Sequence, residues 1–141
     1  MEFSTFGRHV IADGWGIDFN LLNDAELLQK YMVEIAKACS LTIVSIQAYS
    51  FQPQGVTIMM LIAESHFSIH TYPEKGFAAV DCYTCGDTVD PQDVVSRFLA
   101  ILKPVKFHVT EFVRGVEADT LDNAVPRSKH GIGTTPPTHI R

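Results

Sequence analysis

Between Ala63 and Asp87 the chain concentrates groups that can attack, protonate or deprotonate a substrate. Ala63-Glu-Ser-His-Phe-Ser-Ile-His-Thr-Tyr-Pro-Glu74 is followed by Ala79-Val-Asp-Cys-Tyr-Thr-Cys-Gly-Asp87. Glu64, Ser65, His66, Ser68, His70, Glu74, Asp81 and Cys85 thus crowd into little more than a pair of strands. Sheet cores seldom carry so many titratable or nucleophilic groups without a chemical use.

Generic motifs leave that use open. His66 and His70 have the spacing of two zinc ligands on a helix, but Pro73 and the β-branched neighbours make the segment a strand, so no metal site is expected. Cys82-Tyr-Thr-Cys85 is a CxxC without a second pair, and strand residues three apart point to opposite faces. A thioredoxin-like site would open a helix, and none follows directly. Cys82 and Cys39 read as small buried residues. Ser65 with a histidine partner also suggests a hydrolase, yet the G-x-S-x-G elbow and its strand-to-helix setting are missing.

Around this segment the pattern predicts a β-α-β-β-β-β-α-β order. A short strand over residues 8–12 leads through Gly14-Trp-Gly16 to a helix from about Asp24 to Cys39. Asn23 is its expected cap, with Glu26 completing a capping box. Leu27, Leu28, Tyr31, Met32 and Ile35 form its apolar stripe. Strands are expected over 41–50, 56–63, 66–72 and 77–84, separated by Gln52-Pro-Gln-Gly55 and Pro73-Glu-Lys-Gly76. A second helix, Pro91–Leu102, is capped by Asp90 with Pro91 in its first turn. A strand over 105–113 closes a single domain, residues 1–115, and residues 116–141 are expected to be a flexible tail.

Short connections make the sheet antiparallel, an α+β fold with helices on one face. Residues 56–63 are apolar at nearly every position, as in a strand buried on both faces. A single helical layer covers only one face, so a dimer through the open face is expected.

Composition excludes several partners. With 141 residues, 46% apolar, and a mean hydropathy of +0.10, the chain can bury a core. A formal charge of −5 and no Lys/Arg run argue against nucleic acid. No apolar stretch is long enough for a membrane span. Met1-Glu-Phe-Ser-Thr5 lacks the features of a signal peptide, and three cysteines suit a reducing compartment, so a cytoplasmic location is expected.

Taken together, Glu64-Ser-His-x-Ser-Ile-His-Thr-x-Pro-Glu74 and Ala79-Val-Asp-x-Tyr-Thr-Cys-Gly86 resemble the signature of the short S-adenosylmethionine decarboxylases of bacteria and archaea. Gly7-Arg-His9, Pro53-Gln-Gly-Val56, Thr110-Glu111 and Arg114-Gly115 extend the resemblance over roughly residues 6–115. It implies dimers packed sheet to sheet into a four-layer α-β-β-α sandwich. It also implies a proenzyme in which Ser65 Oγ attacks the Glu64 carbonyl, turning the amide into an ester. Strain and hydrogen bonds to the developing oxyanion would lower that barrier. His70 matches the processing residue that removes the Ser65 α-proton, after which elimination and hydrolysis leave a pyruvoyl group on a chain 65–141, separate from 1–64. The pyruvoyl ketone forms a Schiff base with the substrate amine and accepts the electrons left by CO₂. Cys85 matches the acid that returns a proton to the α-carbon. Phe51 and Tyr72 match positions that sandwich the adenine, and Glu74 one that binds the ribose hydroxyls. The implied assembly is a homodimer of cleaved protomers acting on S-adenosylmethionine and feeding polyamine (spermidine) synthesis.

This sequence departs from the family pattern at Ala48-Tyr-Ser-Phe51, at Thr57-Ile58 and at Tyr72, along the expected substrate wall. Those departures leave the processing residues in place and keep one alternative substrate in view, that of a pyruvoyl-dependent arginine or ornithine decarboxylase. An unprocessed, non-catalytic regulatory subunit is a second alternative, which only a failure to cleave would favour. A metal-dependent or thiol-redox module resting on Cys82 and Cys85 comes last.

Overall fold

A computed structural model describes residues 5–116 and 127–132. Gly7–Trp15 forms the first strand, β1, with Val10, Ala12 and Gly14 buried at alternate positions. One helical turn, α1 (Phe19–Leu22), precedes the long helix α2 (Ala25–Ala38). The α2 cap is Asp24, whose carboxylate accepts the Leu27 N–H at 3.0 Å, one residue beyond the expected Asn23. Asn23 instead ends α1, and its Oδ1 accepts the Gly55 N–H at 3.0 Å, tying the helix to a distant turn. Leu28, Met32, Ile35 and Ala36 form the buried stripe of α2.

Four strands follow: β2 (Ile43–Ser50), β3 (Val56–Ile62), β4 (Ser65–Tyr72) and β5 (Phe77–Cys85), with a short 3₁₀ turn at Pro73–Lys75 between the last two. Helix α3 (Pro91–Leu102) begins as expected, Asp90 accepting the Gln92 N–H at 3.0 Å and Pro91 occupying a position that needs no donor. Strand β6 (Lys106–Arg114) returns beside β1.

All pairings are antiparallel, in the order β2-β3-β4-β5-β1-β6-β7. Here β7 is Arg127–Ile132, a segment expected to belong to a flexible tail; it pairs with β6 along Lys106–Glu111. Gly131 lies directly over the Phe107 ring, where a Cβ would fall 2.2 Å from the ring carbon. The rest of that stretch, 117–126 and 133–141, lies outside the described residues.

The helices pack on one sheet face, as the α+β reading requires. Val10, Ile58, Met60, Phe67, Ile69 and Val80 meet Leu28, Met32, Val94, Phe98 and Leu99 there, all essentially inaccessible. Phe67 and Phe98 meet edge to face at 5.5 Å, which fixes α3 across the centre of the sheet. Within one chain β3 is buried on this face only: Met59 and Leu61, on the other, are 48% and 52% exposed. Ile11, Trp15, Tyr49 and Tyr72 share that uncovered face.

Removing the Phe98 ring leaves a void that the sheet cannot close. Phe98→Ala should lower unfolding stability by about 3–5 kcal/mol in urea melts, and a loss below about 1 kcal/mol would contradict this packing.

Candidate active site

The β3–β4 hairpin turns through only Ala63 and Glu64, since Ile62 pairs with Ser65. Two-residue hairpin loops normally need positive φ inside the loop, supplied by Gly or Asn. Neither loop residue here has it; the distortion falls on Ser65, at φ 152°. A non-glycine residue in that region stores about 1–3 kcal/mol. The turn is held from both sides. Thr42 donates its N–H and hydroxyl to the Glu64 carboxylate at 3.0 and 3.1 Å and accepts the Ala63 N–H at 2.8 Å. From β5, the Cys85 N–H donates to the Glu64 carbonyl oxygen at 2.9 Å. The bond between Glu64 and Ser65 therefore has a polarised carbonyl and a strained serine.

Beside this bond lies a polar cluster on the uncovered sheet face. His66 Nδ1 is 3.4 Å from Ser65 Oγ, and its Nε2 is 2.8 Å from Asp81 Oδ2. His9 Nε2 reaches the same Asp81 oxygen at 2.8 Å, and Ser68 Oγ donates to the other. A carboxylate only accepts, so both imidazoles present Nε2–H to it. The His9 Nδ1 lone pair then faces Arg114 Nη1 at 3.4 Å, and the Arg114 guanidinium stacks 4.6 Å from the Tyr83 ring centroid. Burial alone would raise the Asp81 pKa; hydrogen bonds from Ser68, His9 and His66 outweigh it and hold the value below the ordinary 3.8. Among the described residues, His9, His66 and Asp81 are the one group whose ligating atoms lie within 4.8 Å of one another, and these shared hydrogen bonds account for the closeness.

The other expected residues gather at the far end of β4. His70 Nδ1 meets Thr57 Oγ1, and the His70 ring packs edge-on against Phe51 at 5.8 Å and Tyr72 at 4.8 Å. Tyr49 packs on Phe51 at 4.8 Å. Glu74, on the 3₁₀ turn, accepts the Gln54 side-chain amide at 3.1 Å. Between the two ends is a shallow depression of ≈ 320 Å³ lined by Ile11, Asp13, Met59, Ser68, His70 and Asp81.

The expected site residues thus form two groups in one chain. Glu64, Ser65 and Cys85 stand together at one end; Phe51, His70, Tyr72 and Glu74 stand at the other. Five residue steps along β4 take Ser65 to His70, roughly 16 Å. The same rise separates His66 from His70 by roughly 13 Å, too far for the zinc pairing their spacing suggested. Cys82 is buried and its thiol pKa is raised, chiefly by desolvation, whereas Cys85 is exposed. Cys39 is half-buried and pushed up to about 11 by desolvation and then by Asp93. The family resemblance gave no role to His9, His66 or Asp81, although period-two alternation puts His66, Ser68 and His70 of β4 on the same face as Asp81 and Tyr83 of β5.

Comparison with known proteins identifies a family. A family model described as S-adenosylmethionine decarboxylase matches residues 8–115. A relative from Brevibacillus brevis named S-adenosylmethionine decarboxylase proenzyme is 59% identical over 116 residues, 82% of this chain and 87% of the relative. One from Bacillus cereus, an S-adenosylmethionine decarboxylase proenzyme 2, is 48% identical over 82% of this chain and 94% of the relative. The crystal structure of the adenosylmethionine decarboxylase from Aquifex aeolicus superposes with a TM-score of 0.76 at 35% identity, covering 82% of this chain and 96% of that one.

Asp81 gives the site an acid signature. Its folded pKa is depressed, so its contribution to stability is present above the ordinary value and lost as pH falls below it. In urea melts between about pH 5 and pH 2, Asp81→Asn should flatten the acid loss of stability relative to wild type. An equally steep loss in the variant would contradict the network.

Proposed function

This chain belongs to the S-adenosylmethionine decarboxylase family, and from that premise we propose a self-cleaving, pyruvoyl-dependent decarboxylase of S-adenosylmethionine. The observation that carries the self-cleavage is the Glu64–Ser65 bond itself, with its serine at φ 152° and its carbonyl already accepting a backbone N–H. Strain raises the ground state of that amide, and the Cys85 N–H stabilises charge on the oxygen as the hydroxyl attacks.

The residues present fit a pyruvoyl group at position 65: a serine precursor in a strained turn, with a thiol-bearing residue hydrogen-bonded to the bond that must break. The ketone, once formed, supplies an electron sink for the pair left by CO₂. The chain's own residues supply the rest. Cys85, exposed at the end of β5 beside Glu64, returns a proton to the substrate α-carbon. Phe51 and Tyr72 present aromatic faces suited to adenine and to a sulfonium cation. Glu74 offers a carboxylate to the ribose hydroxyls. The product, a decarboxylated aminopropyl donor, suits polyamine synthesis. The free-amino-acid and regulatory-subunit alternatives gain nothing from the family match. A cytoplasmic setting suits the free thiols of Cys39, Cys82 and Cys85, and among the described residues no helix is long and apolar enough to cross a membrane.

We also propose that the working unit is a homodimer joined through the uncovered sheet face. Ile11, Met59 and Leu61, each at least 40% exposed, give that face its apolar surface. A two-fold axis running across the strands would set the Phe51–His70–Tyr72 end of one sheet against the Ser65–Cys85 end of the other. His70 of the partner subunit would then reach a serine that lies roughly 16 Å from the chain's own His70.

Intact mass of the purified protein tests the first reading. Wild type should give two fragments cut between Glu64 and Ser65, the second with a blocked end, and should release CO₂ from carboxyl-labelled S-adenosylmethionine. Ser65→Ala should stay whole and inactive. An uncut wild type would overturn self-cleavage. Co-expression of Ser65→Ala with His70→Ala tests the dimer: each variant alone should remain uncut, while the mixture should cut the His70→Ala chain. Failure to cut in the mixed dimer would place His70 function within its own chain.

A further inference from the structure

We propose that His66, oriented by Asp81, is the general base that takes the proton from Ser65 Oγ in the first step of self-cleavage; this rests on the self-cleavage reading above. Adjacent residues on a strand normally point to opposite faces. The φ of 152° at Ser65 breaks that alternation and brings its hydroxyl to 3.4 Å from His66 Nδ1. That distance is long for a resting hydrogen bond, as is common before a reaction geometry tightens. With Nε2–H donated to Asp81 at 2.8 Å, the free lone pair of His66 is the one that faces the hydroxyl. A serine, a histidine and a half-buried carboxylate in this order are the parts of an activated nucleophile. Here the carbonyl within reach is the chain's own. His9 shares the carboxylate and Tyr83 flanks both rings, so the imidazole is held on the β1 and β5 sides.

The Ser65 hydroxyl proton passes to His66 Nδ1 while Oγ bonds to the Glu64 carbonyl carbon. The oxyanion is met by the Cys85 N–H, which already lies 2.9 Å from that oxygen. Collapse breaks the C–N bond, and the proton on His66 is delivered to the departing Ser65 nitrogen. The ester and a free amine result, with His66 neutral again. His70 is not needed for this step; its assigned task, removal of the α-proton, comes afterwards. Asp81 touches no reacting atom and acts by fixing the ring and tautomer of His66.

The two histidines are therefore separable by hydroxylamine, which cuts an ester but not an amide. Cleavage of purified precursors is followed by mass, with and without hydroxylamine, for wild type, His66→Ala, His70→Ala and Asp81→Asn. His66→Ala should cleave at least about 100-fold more slowly, without acceleration by hydroxylamine, and added imidazole should restore part of the rate. His70→Ala should accumulate ester and be cut rapidly by hydroxylamine. Asp81→Asn should resemble His66→Ala in kind with a smaller loss, and it decides the matter if His66→Ala does not fold. Cleavage of His66→Ala within about threefold of wild type, or hydroxylamine cutting of His66→Ala as fast as of His70→Ala, would overturn the proposal. A wild type that never cuts would instead remove the reading beneath it.

Discussion

The structure turns on a hairpin that is too tight for its residues. A two-residue connection between β3 and β4 demands a backbone shape that Ala63 and Glu64 do not adopt, and the adjoining serine carries the difference. A glycine at position 65 would relax the turn and remove the nucleophile together. The turn does not escape into a longer loop because it is fixed from two directions, by Thr42 just before β2 and by Cys85 at the end of β5. Both anchors depend on register. A slip of one residue between β4 and β5 would move the Cys85 N–H away from the Glu64 carbonyl and turn His66 and Asp81 towards the helices. Burial of Phe67, Ile69, Val80 and Cys82 against α2 and α3 forbids that slip.

Asp81 is the second fixed point. One carboxylate accepts from three side chains on two strands, linking β1 and β4 across β5. Arg8 does comparable work on the opposite face, reaching Glu111 and Asp90 at 2.8 Å and so joining β1, β6 and the start of α3. The Arg8 pKa is raised: burial works against it, and the hydrogen bond and charge of Glu111 more than compensate. Because Arg8 pairs with Thr84 in the ladder, this ion pair steadies the strand end that carries Cys85.

Much of this was legible in the residues. Asp90-Pro91 announced α3, the apolar period announced α2, and short turns announced an antiparallel sheet with one bare face. The signature segment named Glu64, Ser65 and Cys85, which do lie together. Less visible was the division of the site, because spacing in sequence does not show that β4 runs lengthwise between its two ends. The role of His66 was hidden by the alternation rule itself, which assigns it to the face opposite Ser65. Strand β7 was missed because Arg127-Ser-Lys-His-Gly-Ile132 has no apolar alternation; its pairing is a backbone ladder on the β6 edge, and side-chain pattern carries no record of that. The Asn23 cap was off by one because α1 intervenes and claims Asn23 as its own terminus.

The strand order has a consequence for molecularity. A cut after Glu64 divides the sheet into a piece with β1, β2 and β3 and a piece with β4 to β7. The pieces are interlaced, because β1 of the first lies between β5 and β6 of the second. Neither can leave without breaking three full ladders, so the cut molecule persists as one body. Reassembly after denaturation is another matter. The uncut chain closes these ladders within itself, whereas separated pieces must first meet and lose translational freedom. Stability of the cut form then depends on concentration, and its persistence becomes a question of unfolding rate. The precursor is thus the form in which the fold is built, and the mature protein inherits a shape it would assemble far less readily on its own.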